Sequence, residues 1–159
     1  MEEDCKNKKF MREAIRLSCE NVENGGGPFG AVIVKDDKII ATGVNSVTRD
    51  NDPTAHAEIN AIRKASSLLG DFNLSDCVIF SSCEPCPMCL AAIYWARIPR
   101  ICYGNSKQDA ARINFDDAFF YDELMRLPDQ RMVETSQLLS DEAGKAFDLW
   151  MAYDGKTAY

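Results

Sequence analysis

The residue types best suited to chemistry fall in two short runs of the chain, about thirty residues apart. Thr-Ala-His-Ala-Glu contains His56, the single histidine, and Glu58 two positions later. Ser-Cys-Glu-Pro-Cys-Pro-Met-Cys contains Cys86 and Cys89. A catalytic zinc takes three nitrogen, sulfur or oxygen ligands from the protein and keeps its fourth position for water. The two runs therefore predict a catalytic zinc site held by His56, Cys86 and Cys89.

Glu58 is predicted to lie beside this metal without binding it. Zinc lowers the pKa of a bound water from 15.7 to about 7, which makes hydroxide available at neutral pH. A neighbouring carboxylate can take the water proton and pass protons on to the substrate and the leaving group. The spacing His-x-Glu with Pro-Cys-x-x-Cys is typical of zinc nucleobase deaminases. It predicts hydrolytic removal of a ring amine, with Glu58 as the catalytic acid and base.

The cysteines allow other interpretations. A structural zinc could be closed by Cys83, Cys86, Cys89 and either His56 or Cys77. An iron–sulfur site fits less well, because the bacterial pattern has a fourth cysteine soon after the third. Disulfides are disfavoured by the odd count of seven cysteines and by the lack of a secretory signal. We expect free thiols in a reducing compartment.

Both runs also carry signals for the start of a helix. Asp52 is a suitable N-cap, which predicts a helix over about 53–69 with His56 in its opening turns. Two prolines suit the first turn of a second helix over about 85–96. The amino end of a helix favours the thiolate form of a nearby cysteine. We expect these two helix ends to converge on one metal.

Bulk properties narrow the class of protein. A chain of 159 residues that is 46% apolar fits one compact domain. Its net charge of −7 weighs against a nucleic-acid partner and favours a small, uncharged ligand. The apolar stretches are shorter than a bilayer span. We expect a cytoplasmic protein without a nucleic-acid or membrane partner.

Hydrophobic periodicity predicts the remaining elements. They are a helix at 8–24, a hairpin of strands 29–34 and 39–43 turning at Asp36-Asp37, strands at 78–80 and 100–104, and a helix at 141–153. The first helix is expected to bury Phe10, Met11, Ala14, Ile15, Ser18, Cys19 and Val22. The alternation of helices and strands after the hairpin predicts an α/β sandwich with parallel crossovers.

Several runs resemble bacterial guanine deaminases of the cytidine/deoxycytidylate deaminase-like superfamily. They are residues 26–34, 51–58, 82–90, 92–97 and 115–117, together with Asn45. The resemblance implies a three-layer α/β/α sandwich with a mixed central sheet, and hydrolysis of guanine to xanthine and ammonia. It also implies a single zinc-dependent deaminase domain over 1–159 with one zinc per subunit. The implied assembly is a homodimer that exchanges the segment from about 141 to 159.

The resemblance assigns roles to individual positions. The zinc ligands fall on His56, Cys86 and Cys89, and the proton shuttle falls on Glu58. The residues implied to contact the purine are Phe29, Asn45, Ala57, Trp95, Asp117 and the terminal aromatic Tyr159.

Some of these residues have alternative interpretations. Phe29 and Trp95 could be core side chains, and Asn45 a turn residue at a strand end. Asp117 could cap a helix over 118–124. In favour of a binding role, an ionised carboxylate only accepts hydrogen bonds, which suits the ring N–H that guanine has and adenine lacks.

Three competing functions remain at the level of sequence. The first is deamination of a guanine nucleoside, because room for a ribose cannot be judged from the residues. The second is deamination of adenosine in tRNA, which the acidic composition disfavours. The third is a zinc-stabilised structural module without catalysis. Removing the Glu58 carboxylate separates the enzymes from the structural module.

Overall fold

The structure is a computed structural model that describes residues 2–115 and 117–159. The chain divides into two compact units, with the boundary between Phe120 and Tyr121. Among the described helices, none has both the length and the apolar character needed to cross a membrane. The prediction of one domain over 1–159 stays a prediction.

The first unit contains a four-stranded sheet and the helices that cover it. Its elements are α1 (Glu2–Glu23), β1 (Gly30–Lys35), β2 (Lys38–Val44), α2 (Val47–Asp50), α3 (Ala57–Leu69), β3 (Cys77–Cys83), α4 (Pro87–Trp95), β4 (Arg100–Asn105) and α5 (Lys107–Ala111). The strand order is β2-β1-β3-β4. β1 pairs antiparallel with both β2 and β3, whereas β3 and β4 are parallel. The mixed sheet and the parallel crossover through α4 are as predicted.

Alternate residues of the central strands face two separate cores. Val32, Val34 and Phe80 pack with Phe10 and Ala14 of α1 on one face. The opposite face packs against α3 and α4, and its core includes Ala31, Ile33, Ile79, Ala57, Ala61 and Ile93. This alternation follows from the two-residue period of a strand. Helices thus cover both faces, which confirms the three-layer α/β/α prediction.

The β1–β2 hairpin turns at Asp36 and Asp37, as predicted. Both residues have positive φ, 49° and 58°. This backbone conformation belongs to the two-residue type I′ turn, whose twist matches that of the flanking strands. Asparagine and aspartate tolerate positive φ better than most residues. The turn therefore returns β2 alongside β1, with a register shift after Ile33.

Two glycines allow helices to approach the sheet closely. A Cβ at Gly43 of β2 would lie 2.6 Å from the backbone nitrogen of Ala61, and closer to the carbonyl oxygen of Ala57. A Cβ at Gly30 of β1 would lie 2.8 Å from the backbone nitrogen of Ser18. Side-chain carbon atoms essentially never come this close to backbone. The absence of a side chain at these two glycines therefore allows α3 and α1 to pack directly against the strands.

The predicted inner stripe of α1 is partly wrong. Phe10, Ala14 and Ser18 are buried, but Ile15 and Val22 are 44% and 51% exposed. The predicted apolar stripe is wider than the surface of α1 that contacts the sheet. Only the row with Phe10, Ala14 and Ser18 is buried. Asn21 joins that row instead, at 5% exposure.

The second unit contains the end of α6 (Ala118–Met125), a short 3-10 helix (Pro128–Gln130) and α7 (Ser140–Ala152). The bounds of α7 confirm the predicted carboxyl-terminal helix to within one residue at each end. The apolar side chains of α7 stay largely exposed in the single chain: Phe147 at 77%, Met151 at 71% and Trp150 at 44%.

Candidate metal and active site

His56 and Cys86 occupy equivalent positions on two neighbouring helices. Each is an N-cap residue with extended backbone, immediately before α3 and α4 respectively. Cys89 follows in the first turn of α4. The Nδ1 atom of His56 lies 3.6 Å from Sγ of Cys86 and 3.5 Å from Sγ of Cys89. The predicted convergence of two helix amino ends is therefore present.

The donor set fits a zinc ion. The ligand atoms of His56, Cys86 and Cys89 all lie within 4.8 Å of one another. With Zn–N near 2.1 Å and Zn–S near 2.3 Å, a tetrahedral angle separates nitrogen and sulfur ligands by about 3.6 Å. The observed nitrogen–sulfur separations match this value. One imidazole and two thiolates also match the open ligand set of a catalytic site.

The alternative with four structural ligands finds no support in the described residues. The metal-ligand cluster there contains His56, Cys86 and Cys89, without Cys83 or Cys77. Cys77 and Cys83 begin and end β3, so about 20 Å of strand separates them. Burial raises the pKa of the Cys83 thiol to about 11, which keeps it protonated near neutral pH. Its Sγ lies 3.8 Å from the carbonyl oxygen of Ser106.

The start of the histidine helix differs from the prediction. Asp52 was expected as its N-cap, but α3 begins at Ala57 and His56 is the N-cap. The Asp52 carboxylate instead accepts hydrogen bonds from the backbone N–H and the hydroxyl of Thr54, at 2.8 and 2.7 Å. These bonds form a local turn that competes with a helix. The second helix also begins later than predicted, with a proline at its first position.

Glu58 lies in the first turn of α3 and is 5% exposed. Its Oε1 accepts a hydrogen bond of 3.0 Å from the Ser81 hydroxyl. Its Oε2 lies 3.4 Å from Sγ of Cys89. Burial raises the pKa of the Glu58 carboxyl above its ordinary value. A carboxyl with a raised pKa beside a metal site suits proton transfer near neutral pH.

The ligand side chains perturb one another. A hydrogen bond from the Cys89 thiol lowers the pKa of Cys86 to about 4. The same bond raises the pKa of Cys89. The contact with Cys86 raises the pKa of His56. The hydrogen bond thus favours ionisation of Cys86, and metal binding requires the Cys89 thiol to lose its proton as well.

A cavity of about 250 Å³ opens beside these side chains. It is lined by Gly27, Phe29, Asn45, Val47, Thr48, Pro53, His56, Glu58, Cys83, Glu84, Cys86, Phe115 and Asp117. Three of these residues carry carboxylates, and none is a lysine or an arginine. The cavity therefore combines a metal-ligand cluster, a proton carrier and an uncharged or acidic lining.

Three predicted base-binding residues line this cavity. Phe29 meets Phe115 edge to face, with ring centroids 4.9 Å apart, and also packs on the core. The Asn45 side chain lines the cavity, and its Oδ1 accepts a hydrogen bond from Val47 N–H at 3.3 Å. Asp117 lines the cavity and directly precedes α6. Phe29 and Asn45 thus have the contacts of the structural interpretation, and the base-binding roles of Phe29, Asn45 and Asp117 stay predictions.

The other predicted contacts lie elsewhere. Ala57 is fully buried as the first residue of α3, between His56 and Glu58. Trp95 ends α4 and is 65% exposed, which excludes the core interpretation. Tyr159 belongs to the second unit and is 68% exposed. The substrate-binding roles of all three stay predictions.

Two asparagines that the sequence reasoning missed hold the wall around Asn45. The Asn21 amide donates to the carbonyl oxygens of Gly27 and Asn45, at 2.7 and 2.8 Å. The Asn60 amide donates to the carbonyl oxygen of Val44 and to the hydroxyl of a serine, at 2.9 and 3.0 Å. A polar side chain on the buried face of a predicted helix was the available signal for Asn21.

Comparison with known proteins agrees with a zinc-binding site in this part of the chain. Residues 4–105 match the family described as the cytidine and deoxycytidylate deaminase zinc-binding region. This segment contains the predicted metal ligands, the proton carrier and most of the cavity wall.

The relatives of the chain include deaminases of two kinds. A guanine deaminase of Bacillus subtilis (strain 168) is 50% identical over 151 residues, which cover 94% of this chain and 97% of that protein. An X-ray structure of guanine deaminase from Bacillus subtilis matches with a TM-score of 0.93 and 49% identity, over 96% of this chain and 98% of that one. A tRNA-specific adenosine deaminase of Buchnera aphidicola is 40% identical over 106 residues, 67% of this chain and 70% of that protein.

The resemblance to bacterial guanine deaminases is thereby confirmed along almost the whole chain. The family match and the shared fold lead to one assignment: the chain belongs to the cytidine and deoxycytidylate deaminase family of zinc-binding proteins.

Proposed function

We propose that this protein is a zinc-dependent guanine deaminase that converts guanine and water to xanthine and ammonia. The observation that carries the proposal is the buried Glu58 carboxylate, 3.4 Å from a thiol of the His56, Cys86 and Cys89 cluster. A structural zinc needs no carboxylate there. The similarity to the guanine deaminase of Bacillus subtilis over nearly the full chain supports the choice of substrate.

His56, Cys86 and Cys89 would hold one zinc ion per subunit. Zinc in this position would supply the nucleophile, since coordination lowers the pKa of water to about 7. Two thiolates and a neutral imidazole balance the charge of a divalent ion. The extended backbone of both N-cap ligands leaves the amino ends of α3 and α4 facing the donor atoms.

Glu58 would carry the protons. It first accepts a proton from the attacking water, whose oxygen bonds to C2 of guanine. It then donates that proton to the neighbouring ring nitrogen, takes the remaining proton from the new C2 hydroxyl, and transfers it to the amine as the C2–N bond breaks. One water is consumed and one ammonia leaves. A buried carboxyl with a raised pKa can serve as base and acid in turn.

The lining of the cavity would select the base. Asn45 lines the cavity and its Oδ1 is engaged with a backbone N–H, so its amide N–H groups would be the donors offered to the base. Asp117 offers acceptors for ring N–H and amine groups. An analogue that lacks these donors would bring no hydrogen bond to the Asp117 carboxylate, a mismatch that binding sites reject strongly. The ring of Phe29 would cover one face of the planar base.

The same lining disfavours phosphorylated substrates. Glu58, Glu84 and Asp117 are acidic residues, and none of the described lining residues is a lysine or an arginine. A nucleotide or a nucleic acid would bring phosphates without a lysine or arginine side chain in the described lining to receive them. The free base is therefore the better substrate, ahead of the tRNA adenosine on which the Buchnera relative acts by its name.

We also propose that two chains form a homodimer that exchanges residues from about 141 to 159. The exposed apolar side chains of α7 support this, because Phe147 and Met151 are each more than 70% exposed in the single chain. Contiguous exposed apolar surface usually marks a protein–protein interface. The seven free thiols fit a reducing compartment, and we place the reaction in the cytoplasm.

The test is ammonia release by the zinc-loaded protein from guanine, guanosine, adenine and cytosine, beside Glu58→Ala. We expect turnover of guanine alone, abolished in the variant while zinc stays bound. Comparable turnover of guanosine would move the function to nucleoside deamination. If zinc binds and none of the four substrates reacts, the proposed function is wrong.

A further inference from the structure

Ser81 contacts the proposed proton carrier from the centre of the sheet. It is 1% exposed and lies between Ala31 of β1 and Tyr103 of β4. Successive side chains of a strand point to opposite faces. Ser81 therefore points to the same face as Ile79, which packs against α3 and α4. Its hydroxyl meets Oε1 of Glu58 at 3.0 Å.

The two oxygens of Glu58 have different surroundings. Oε1 is bonded to the Ser81 hydroxyl, whereas Oε2 lies 3.4 Å from Sγ of Cys89. The Ser81 hydroxyl donates to Oε1, and it can keep donating there while a proton is carried on the other oxygen. The contact with Ser81 can thus persist through both protonation states. The oxygen on the cysteine side is then the one that exchanges protons with the substrate.

We propose that Ser81 is a positioning residue that fixes Oε1 of Glu58 and so presents Oε2 to the reacting atoms. The inference rests on the proposed function, because it assigns a role in the same proton transfers. A central strand is a rigid support, and small displacements of a catalytic group lower rates strongly. Without this hydroxyl, the Glu58 side chain can rotate about its last bond.

A purely structural role predicts a different outcome. A buried hydroxyl whose only task is to satisfy a buried carboxylate contributes to stability. Its removal would then lower the thermal midpoint while the turnover number stayed the same. A positioning role instead lowers kcat with little effect on KM, because substrate contacts at Phe29, Asn45 and Asp117 are untouched.

The experiment compares zinc-loaded full-length Ser81→Ala, Ser81→Thr and Ser18→Ala with the wild type. Threonine keeps the hydroxyl. Ser18 is a matched control, since it is also buried and its hydroxyl donates to the carbonyl oxygen of Ile15 at 2.7 Å on α1. For each protein we would measure kcat and KM for guanine, zinc per subunit, and the thermal midpoint.

We expect Ser81→Ala to lose kcat by about tenfold to a hundredfold, the range for a hydrogen bond to a charged group. KM and zinc content should stay near wild type, and Ser81→Thr should recover most of the rate. Ser18→Ala should keep the wild-type kcat. Wild-type kcat in Ser81→Ala, or loss of its zinc, would overturn the proposal.

Failure of the proposed function is recognised separately. In that case the wild-type protein would bind zinc but would not release ammonia from guanine. If the wild type deaminates another base instead, the same comparison of kcat on that base tests Ser81, because Glu58 transfers the same protons.

Discussion

Adding one methyl group at Gly43 should displace the helix that carries His56 and Glu58. Gly43 lies in β2, opposite Ala31 of β1, where α3 packs directly on the strand. Its added Cβ would meet the carbonyl oxygen of Ala57, the residue between His56 and Glu58. Backbone atoms cannot rotate out of the way as a flexible side chain can. Gly43→Ala therefore acts on the active site from the far side of α3.

The size of the displacement follows from the distances. The new Cβ would lie 2.6 Å from the backbone nitrogen of Ala61, and ordinary contact begins at 3.4 Å. The helix must therefore shift by at least about 0.8 Å, the difference between the two values, and by more to clear the closer carbonyl oxygen of Ala57. Overpacking of this kind costs about 1–3 kcal/mol of stability. A misplacement near 1 Å can cost about a hundredfold in rate.

The assay is ammonia release from guanine, with the zinc content and the thermal midpoint of the same preparation. Gly30→Ala is the matched comparison, because its Cβ would clash with the backbone of α1 on the other face of the sheet. We expect similar losses of thermal stability in both variants. Only Gly43→Ala should lower kcat/KM by about a hundredfold.

The reasoning would be refuted by a Gly43→Ala protein with wild-type kcat/KM and an unchanged thermal midpoint. That result would mean that α3 has room to move without moving Glu58. A rate loss of equal size in Gly30→Ala would also refute it, since the effect would then be one of general destabilisation.

Three further predictions concern other parts of the molecule. Asn21→Ala removes the side-chain donor to the Asn45 carbonyl oxygen and one of two donors to the Gly27 carbonyl oxygen, which keeps the Phe29 N–H. We therefore expect a loss of about 1–3 kcal/mol in unfolding free energy and a higher KM for guanine. Wild-type values of both would contradict this. Deleting residues 155–159 should lower turnover sharply with zinc near one per subunit if the exchanged segment covers a partner's pocket, and unchanged turnover would count against the exchange. Removal of zinc by a chelator should abolish turnover. Zinc should rebind more tightly as pH rises, because the Cys89 thiol must ionise to bind it and the hydrogen bond to Cys86 raises the pKa of that thiol. Calorimetry of zinc binding in two buffers should detect proton release, and the absence of proton release would contradict this prediction.

The sequence predicted the elements with strong periodicity and clear turn chemistry. The hairpin at Asp36-Asp37, the buried strands and the carboxyl-terminal helix all follow from local patterns. The cluster of His56, Cys86 and Cys89 was predictable as well, because zinc requires a small set of residue types and the chain has one histidine.

Contacts between distant segments were not predictable in the same way. Asp52 is a good N-cap by type, yet Thr54 engages its carboxylate and the helix starts at Ala57. The hydroxyl of Ser81 and the amide of Asn21 became significant only once the fold placed Glu58 and Asn45 beside them. Their sequence signal is a polar residue on a face that the periodicity assigns to the core.

The placement of His56 and Cys86 at two helix starts has a topological consequence. The two ligands are 30 positions apart in the chain, so a shared zinc would close a loop of that length. By the chain-entropy relation used for disulfides, such a closure is worth about 3.6 kcal/mol at 25 °C. All seven cysteines are free. Zinc would thus act as a cross-link that reductants leave intact and that chelators open.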